Sequence, residues 1–122
     1  MFKRILVLDE SRDTLNFIRE ALNYEKFEVK ITSGSSDIIE CIQNYCPDLV
    51  ILDYKDNRVK RETICRQIKA DPRFFNLPVI ICSAYLNSNS NTETLAWGCD
   101  AVIAKPFGFS ELMEKVNNLI AV

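Results

Sequence analysis

The chain has 122 residues, a length that suits one domain folded around one hydrophobic core. Hydrophobic residues make up 48% of the sequence and charged residues 26%, as in water-soluble globular proteins, and no apolar run approaches the length of a membrane span. The net charge of −2 is too small and too acidic for a nucleic-acid arm or a polybasic membrane patch, so we expect no direct binding to nucleic acid or membrane.

Five short apolar runs predict β-strands. They are residues 5–8, 27–31, 49–52, 79–82 and 101–104. Four of them are continuously apolar, which is typical of strands that are covered on both faces of a parallel sheet. The second run alternates between apolar and polar side chains, which indicates an edge strand or a half-exposed one.

Between these runs, apolar side chains recur at helical spacing and predict helices. The apolar faces are Leu15, Ile18 and Leu22, then Ile38, Ile42 and Tyr45, then Ile64 and Ile68, and finally Leu112, Val116 and Leu119. Ser11 can cap the first helix, and Gly108 precedes the last. The polar stretch 87–92 is interpreted as a loop that leads into the fourth of five helices.

Strands that alternate with helices predict right-handed crossovers and a parallel sheet with helices on both faces. We therefore predict a single α/β domain over residues 1–122, doubly wound and flavodoxin-like, with strand order 2-1-3-4-5. Ligands of such sheets bind outside the carboxyl ends of the strands, where the winding reverses. The residues that follow the strands are therefore the candidates for a functional site.

Polar residues follow four of the predicted strands and would meet at one edge of the sheet. They are Asp9 and Glu10 after the first strand, Asp53 after the third, Ser83 after the fourth and Lys105 after the fifth. Three carboxylates at one point repel one another unless a cation is present, and oxygen ligands without histidine or cysteine suit Mg²⁺ better than zinc. Mg²⁺ together with the lysine would balance the three negative charges. Such a site could accept a phosphoryl group on a carboxylate.

Each of these residues also has a structural interpretation, since an acid at a strand end is usually a turn residue or a helix cap. A lone serine or lysine there would be an ordinary loop hydroxyl or a solvated surface charge. The joint pattern, with all of them at the same end of successive strands, favours a functional site. The spacing by itself does not name the reaction.

The ordered motifs resemble the receiver domain of response regulators in two-component signalling. The matching segments are residues 5–10, 47–53, 68–73, 78–84 and 98–107, which end in Lys105-Pro106-Phe107. The resemblance covers essentially the whole chain. It implies a phosphoacceptor domain that catalyses only its own phosphotransfer and dephosphorylation, and is not otherwise an enzyme.

The resemblance also implies a role for each site residue. Asp53 would accept the phosphoryl group, and Mg²⁺ would be held by Asp9, Glu10, Asp53 and the backbone carbonyl of Lys55. Ser83 and Lys105 would bind phosphoryl oxygens. The chain has no histidine, so the donor must be another molecule, such as a histidine kinase, a histidine phosphotransfer protein or a small phosphodonor. The downstream partner is unnamed, and a homodimer through the fourth helix, fifth strand and fifth helix is one possibility.

Three segments depart from the family pattern. Residues 54–61 are polar and basic where the family has Met-Pro and Asp-Gly, and Lys55 there either brings a second ammonium to the site or faces solvent. Val102 occupies the position of the usual aromatic switch residue, so a tyrosine-type rotamer change is not available. Trp97 and Phe109 either replace it or serve as packing aromatics, which we favour. Tyr85 lies near the predicted site entrance, where its ring could slow attack by water on the acyl phosphate.

Two other functions remain open. The chain could be a receiver-like protein-interaction module that no longer uses phosphorylation. The altered loop and Val102 leave this alternative open, whereas the acids, Ser83 and Lys105 favour a working phosphoacceptor. A flavin binder of the same architecture needs a turn rich in Gly, Ser or Thr after the first strand. The acids Asp9, Glu10 and Asp13 would repel a flavin phosphate at that turn unless a metal ion screened them.

The five cysteines are Cys41, Cys46, Cys65, Cys82 and Cys99. Their odd number and the absence of a CxxC motif argue against a disulfide framework, and with no histidine they argue against a zinc site. We interpret them as buried, reduced thiols that pack as small apolar groups. The apolar start of the chain is too short for an export signal, and we expect a cytoplasmic protein.

Overall fold

The computed structural model of the chain describes residues 2–9, 12–32, 37–53, 58–83, 98–104 and 107–120. The strands are β1 (Arg4–Asp9), β2 (Glu28–Thr32), β3 (Leu49–Asp53), β4 (Val79–Ser83) and β5 (Ala101–Ala104). The helices are α1 (Arg12–Tyr24), α2 (Ile38–Tyr45), α3 (Arg58–Ala70) and the C-terminal helix α4 (Phe109–Ile120). The further helix predicted between β4 and β5 falls on residues 84–97, outside the described part of the chain.

The five strands form one sheet of order β2-β1-β3-β4-β5, in which all neighbouring pairs are parallel. The predicted fold class and strand order are thus confirmed. β1 and β3 lie inside the sheet, and β2 and β5 are its edges. The alternating run at residues 27–31 is therefore an edge strand, as its pattern indicated.

The sheet separates two apolar clusters. Alternate residues of β1 face opposite ways, so Ile5 and Val7 pack with α1 and α4, while Leu6 and Leu8 pack with α2 and α3. All four side chains are fully buried, as are the first four residues of β3. Each buried Val, Leu or Ile contributes about 1.5–3 kcal/mol relative to its exposed state. β1 and β3 are thus held by packing on both faces of the sheet.

The helix ends follow local hydrogen bonding. The Asp37 carboxylate caps α2 by accepting hydrogen bonds from the backbone N–H groups of Ile39 (3.0 Å) and Glu40 (3.3 Å). At the other end Cys46 adopts the left-handed conformation, with φ of 55°, and its N–H donates to the carbonyl of Ile42. The predicted start of α4 is confirmed, since Leu112 N–H donates to Gly108 O at 3.1 Å. The predicted Ser11 cap lies outside the described residues.

The cysteines are only partly as predicted. All five are free thiols, and Cys65, Cys82 and Cys99 are buried in the core. Cys41 is half-buried, and Cys46 is exposed, so the prediction of a buried thiol is wrong there. The left-handed turn at the end of α2 carries Cys46 away from the apolar face of the helix. None of the described helices is long and apolar enough to cross a membrane.

Candidate functional site at the carboxyl ends of the strands

The inner strands β1 and β3 each end in an aspartate. Asp9 and Asp53 are direct register partners, one step beyond the pair Leu8 and Leu52. Neighbouring strands lie about 4.8 Å apart, so the backbones of the two acids are adjacent. Leu8 and Leu52 are fully buried, and they hold the strand ends in place. The predicted meeting of these two aspartates at one sheet edge is confirmed for their backbone positions.

The strands β4 and β5 bring the next two candidates to the same edge. Ser83, the last residue of β4, is the register partner of Ala104, the last residue of β5. Lys105 follows Ala104 directly in the sequence. On the other side of β4, the register pairs Leu52 with Ile81, and its continuation sets Asp53 opposite Cys82. Ser83 is therefore one residue beyond Asp53 on the adjacent strand.

The remaining site candidates lie outside the described residues. They are Glu10, Lys55, Tyr85 and Lys105, whose roles stay predictions. The acids that the strands do bring together fit a magnesium ion by their chemistry. Asp9 and Asp53 supply hard oxygen donors from adjacent strand ends, and Mg²⁺ is commonly bound by one or two carboxylates together with phosphate oxygens.

Val102, at the position of the usual switch aromatic, is a half-buried residue of β5. It is the register partner of Ile81 and packs with the cluster on the α2 and α3 side of the sheet. Phe109 contacts Tyr24 of α1 instead, with ring centroids 5.8 Å apart and planes at 81°. This edge-to-face contact joins α1 to α4. Phe109 therefore acts as a packing aromatic, and Trp97 lies outside the described residues.

A polar cluster at the opposite end of the sheet was not foreseen from the sequence. Asp100 Oδ2 accepts hydrogen bonds from Val79 N (2.8 Å) and Lys69 Nζ (2.7 Å). The same ammonium donates to the carbonyl of Leu77 at 2.6 Å. Gly98 lies against the stem of Lys69 and has φ of 97°. The sequence does show a lysine, Lys69, in the last turn of α3 and an aspartate, Asp100, just before β5. Nothing in the sequence indicates that these two side chains contact each other.

A second cluster joins the starts of β1, β2 and β3. Asp48 Oδ2 accepts from Arg4 N at 2.8 Å, and Arg4 also pairs with Glu28 at 3.2 Å. The Tyr45 hydroxyl donates to Glu28 Oε2 at 2.8 Å. The pKa of Tyr45 is raised well above its ordinary range. Burial is the larger cause, and this hydrogen bond to the Glu28 carboxylate is the second. Both clusters lie away from the Asp9–Asp53 edge and hold the amino ends of the strands.

Comparison with known proteins points to one family. The model of the response regulator receiver domain matches residues 5–117. Response regulator MprA from Mycobacterium sp. (strain KMS) is 27% identical over 117 residues, which cover 96% of this chain and 50% of that protein. Hybrid signal transduction histidine kinase D from Dictyostelium discoideum is 28% identical over 118 residues, which cover 97% of this chain and 8% of the kinase.

A solved structure shows the same fold. The response regulator from Thermotoga maritima superimposes with a TM-score of 0.88 at 24% identity, and the match covers 100% of both chains. Among the curated relatives, by contrast, the MprA proteins are matched over about half of their length, the share being 50% for the one from strain KMS. What those longer proteins do as a whole is therefore not carried over with the match.

Proposed function

The chain belongs to the response regulator receiver domain family, and on that basis we propose that Asp53 is its phosphoryl acceptor in a two-component phosphorelay. The observation that carries the proposal is the register of the sheet. In this register Asp9 lies beside Asp53, and the neighbouring strand β4 ends at Ser83. An acidic pair and a hydroxyl residue at one edge form the arrangement that a phosphoryl acceptor requires.

The proposed reaction is a phosphoryl transfer to a carboxylate. An oxygen of Asp53 attacks the phosphorus atom and forms a new P–O bond, while the bond from phosphorus to the donor breaks. The donor is a phosphohistidine nitrogen of a partner protein or the oxygen of a small acyl phosphate, and it leaves with the bonding electron pair. The product is an acyl phosphate on Asp53. We propose no enzymatic activity beyond this transfer and the hydrolysis of the acyl phosphate, in which water attacks phosphorus, inorganic phosphate is released and the Asp53 carboxylate is restored.

Receiver domains typically bind Mg²⁺ at the phosphorylation site, and the donor set of this chain fits that ion. Asp9, Glu10, Asp53 and the backbone carbonyl of Lys55 would hold it. When bound, the ion neutralises negative charge on the carboxylates and on the incoming phosphoryl group. Ser83 would donate a hydrogen bond to one phosphoryl oxygen, and the ammonium of Lys105 would pair with another.

Receiver domains act with histidine kinases, and a related segment occurs within a hybrid histidine kinase. We propose that the phosphoryl donor is a histidine kinase or histidine phosphotransfer protein in the cytoplasm, because the chain has no histidine. Phosphorylation would shift a two-state equilibrium that a downstream protein or a second copy of the chain reads. The homodimer face would combine β5, α4 and the helix predicted between β4 and β5.

One observation favours a second candidate, a receiver-like binding module that does not use phosphorylation. Val102 is aliphatic and already packed against the core, so this position of β5 does not carry the aromatic side chain that would report the state of the site by changing rotamer. In this alternative the domain would bind its partner equally well with and without a phosphoryl group on Asp53.

The test is the intact mass of the protein after incubation with Mg²⁺ and acetyl phosphate. We expect the wild type to gain one phosphoryl group and Asp53→Asn to gain none. Asp37→Asn is the matched control, because Asp37 is an exposed helix cap and asparagine caps helices equally well. It should label like the wild type. If the wild type stays unlabelled where a known receiver labels, the phosphoacceptor proposal fails and the binding module is favoured.

A further inference from the structure

The strand β5 has a weakly determined register. It is an edge strand of four residues, and its side chains are Ala101, Val102, Ile103 and Ala104. Only Ile103 among them is buried. A strand whose residues are all apolar gains little from one register over the next, because a slip by one residue replaces apolar side chains with apolar side chains. The hydrophobic pattern alone therefore does not fix how β5 lies against β4.

Asp100, the residue before β5, makes hydrogen bonds that fix the register. The N–H of Asp100 donates to Val79 O at 2.9 Å, and its Oδ2 accepts from Val79 N at 2.8 Å. Both backbone groups of Val79 are thus bound by a single residue, which fixes one alignment of the two strands. A slip by one residue would break both hydrogen bonds and leave the backbone N–H and carbonyl of the fully buried Val79 without these partners.

Lys69 keeps this carboxylate in place. Its ammonium lies 2.7 Å from Asp100 Oδ2, and the exposed fractions of the two side chains are 16% and 34%. It also donates to Leu77 O at 2.6 Å, in the segment that leads into β4. Charge-assisted hydrogen bonds are shorter and stronger than neutral ones, and partial burial limits their screening by solvent. Helix α3 and the starts of β4 and β5 are therefore joined at one point.

We propose that Asp100, held by Lys69, is a positioning residue for the phosphoryl transfer proposed above. It fixes the register in which Ser83 pairs with Ala104, and this register would in turn set the position of Lys105, which follows Ala104 in the sequence. A slip of one residue moves a strand by about 3.3 Å along its neighbour and turns each side chain to the other face. Either change would remove the lysine from the phosphoryl oxygens that Ser83 also binds.

The chain contains its own matched control. Asp48 makes the same pair of hydrogen bonds at the start of β3, because its Oδ2 accepts from Arg4 N and its N–H donates to Arg4 O at 2.7 Å. β1 and β3 pair over five residues, and the first four of these pairs, Ile5–Leu8 with Leu49–Leu52, are fully buried on both strands. Burial therefore fixes their register without the carboxylate. Replacing Asp48 should lower stability without moving the site.

The experiment compares the rate of labelling by acetyl phosphate and Mg²⁺ in wild type, Asp100→Ala, Asp100→Asn, Lys69→Met and Asp48→Ala. Each is assayed well below its own midpoint of thermal unfolding, so that all are fully folded. We expect Asp100→Ala to label at least about tenfold more slowly, because a misplacement of about 1 Å at a reacting site can cost up to about 10²-fold in rate. Asp100→Asn should recover most of the rate, because its amide oxygen can still accept from Val79 N. Lys69→Met should fall between them, and Asp48→Ala should stay within about twofold of wild type.

Hydrogen exchange of the β5 amides provides a readout that does not depend on phosphorylation. We expect faster exchange at residues 101–104 in Asp100→Ala and unchanged exchange there in Asp48→Ala. Labelling of Asp100→Ala at the wild-type rate would overturn the inference and leave the phosphoacceptor proposal intact. Equal slowing by Asp48→Ala would also overturn it, because the effect would then follow from lost stability. An unlabelled wild type would instead refute the phosphoacceptor function itself.

Discussion

Asp9 and Asp53 are direct register partners at the carboxyl ends of the adjacent inner strands β1 and β3. Each aspartate directly follows a fully buried leucine, Leu8 or Leu52. The two strand ends therefore cannot move apart without disrupting the packing of the core. Two carboxylates in such a position repel each other unless a cation or a proton neutralises one of them. We therefore expect a local surplus of negative charge at this end of the sheet.

Replacing Asp9 with asparagine should test this surplus. Without Mg²⁺, we expect Asp9→Asn to be more stable than wild type by about 1 kcal/mol, the Coulomb energy of two unit charges about 4 Å apart in water. With Mg²⁺ the order should reverse, because the variant loses a ligand and binds the ion at least about tenfold more weakly. Urea denaturation with and without Mg²⁺ measures the first effect, and calorimetric titration measures the second. An unchanged Mg²⁺ affinity would remove Asp9 from the metal site.

Tyr85 should control how long the phosphoryl group stays on Asp53. If its ring keeps water from the acyl phosphate, Tyr85→Ala should lose the label several times faster, by about two- to tenfold. The decay is followed by intact mass after the phosphodonor is removed. Tyr85→Phe keeps the ring and should decay like the wild type. Equal decay of all three proteins would refute this role.

Gly98 should be much less replaceable than Gly108. Its φ of 97° disfavours any side chain, and an added Cβ would lie 3.1 Å from Lys69 Cγ. We therefore expect Gly98→Ala to lower the free energy of unfolding by at least about 1 kcal/mol. Nothing lies within 4 Å of a Cβ added at Gly108, so Gly108→Ala should change it by no more than about 0.5 kcal/mol. Urea denaturation measures the free energy of unfolding of both variants. Equal decreases in the two would contradict the backbone strain expected for a side chain at position 98.

The hydrogen bond from Tyr45 to Glu28 should make stability depend on alkaline pH. Because folding raises the pKa of this phenol, its contribution is complete below the unfolded pKa of about 10 and is lost as the pH rises toward the folded value. We expect Tyr45→Phe to cost about 0.5 kcal/mol near pH 8, a small figure because the pair is partly exposed. The difference from wild type should shrink above about pH 10. A difference that stays constant there would show that the cost is packing alone.

Cys46 should be the one thiol among the five that reacts at the rate of a free cysteine in the native protein. It is exposed, whereas Cys41 is half-buried and the other three are buried. The pKa of Cys99 is lowered by its hydrogen bond with Cys65, yet burial should protect both from alkylation. Mass spectrometry after brief iodoacetamide treatment should show one adduct. Cys46→Ser should show none, and a persisting fast adduct would locate the reactive thiol elsewhere.

The fold was predictable because β1, β3 and β4 are continuously apolar and alternate with helical periods. The strand ends were predicted one residue short. Asp9, Asp53 and Ser83 are the last strand residues rather than the first loop residues. Hydrogen bonds between strand backbones do not depend on side-chain polarity, so a strand continues past the point where its apolar run stops. The error leaves the site in place, because all three strands lengthen at the same end.

The polar contacts at the other end of the sheet could not be predicted in the same way. Asp100 meets Lys69 across 31 residues of sequence, and Asp48 meets Arg4 across 44. Spacing within one helix or strand carries no information about such pairs. They become visible only when the sheet order and the register are known. The exposure of Cys46 was missed for a similar reason, because it depends on a backbone turn rather than on the apolar residues around it.

Asp48 and Asp100 hold the amino ends of the strands, whereas Asp9 and Asp53 stand at the carboxyl ends. Acids of the same kind thus make structural hydrogen bonds at one end and are the proposed reactive groups at the other, separated by the length of the strands. The carboxyl ends of the strands could therefore be redesigned, by exchanging the acids or grafting a different loop. The hydrogen bonds at the amino ends would keep the domain folded. The same separation predicts that a variant without the reactive acids would stay folded and could still bind a partner.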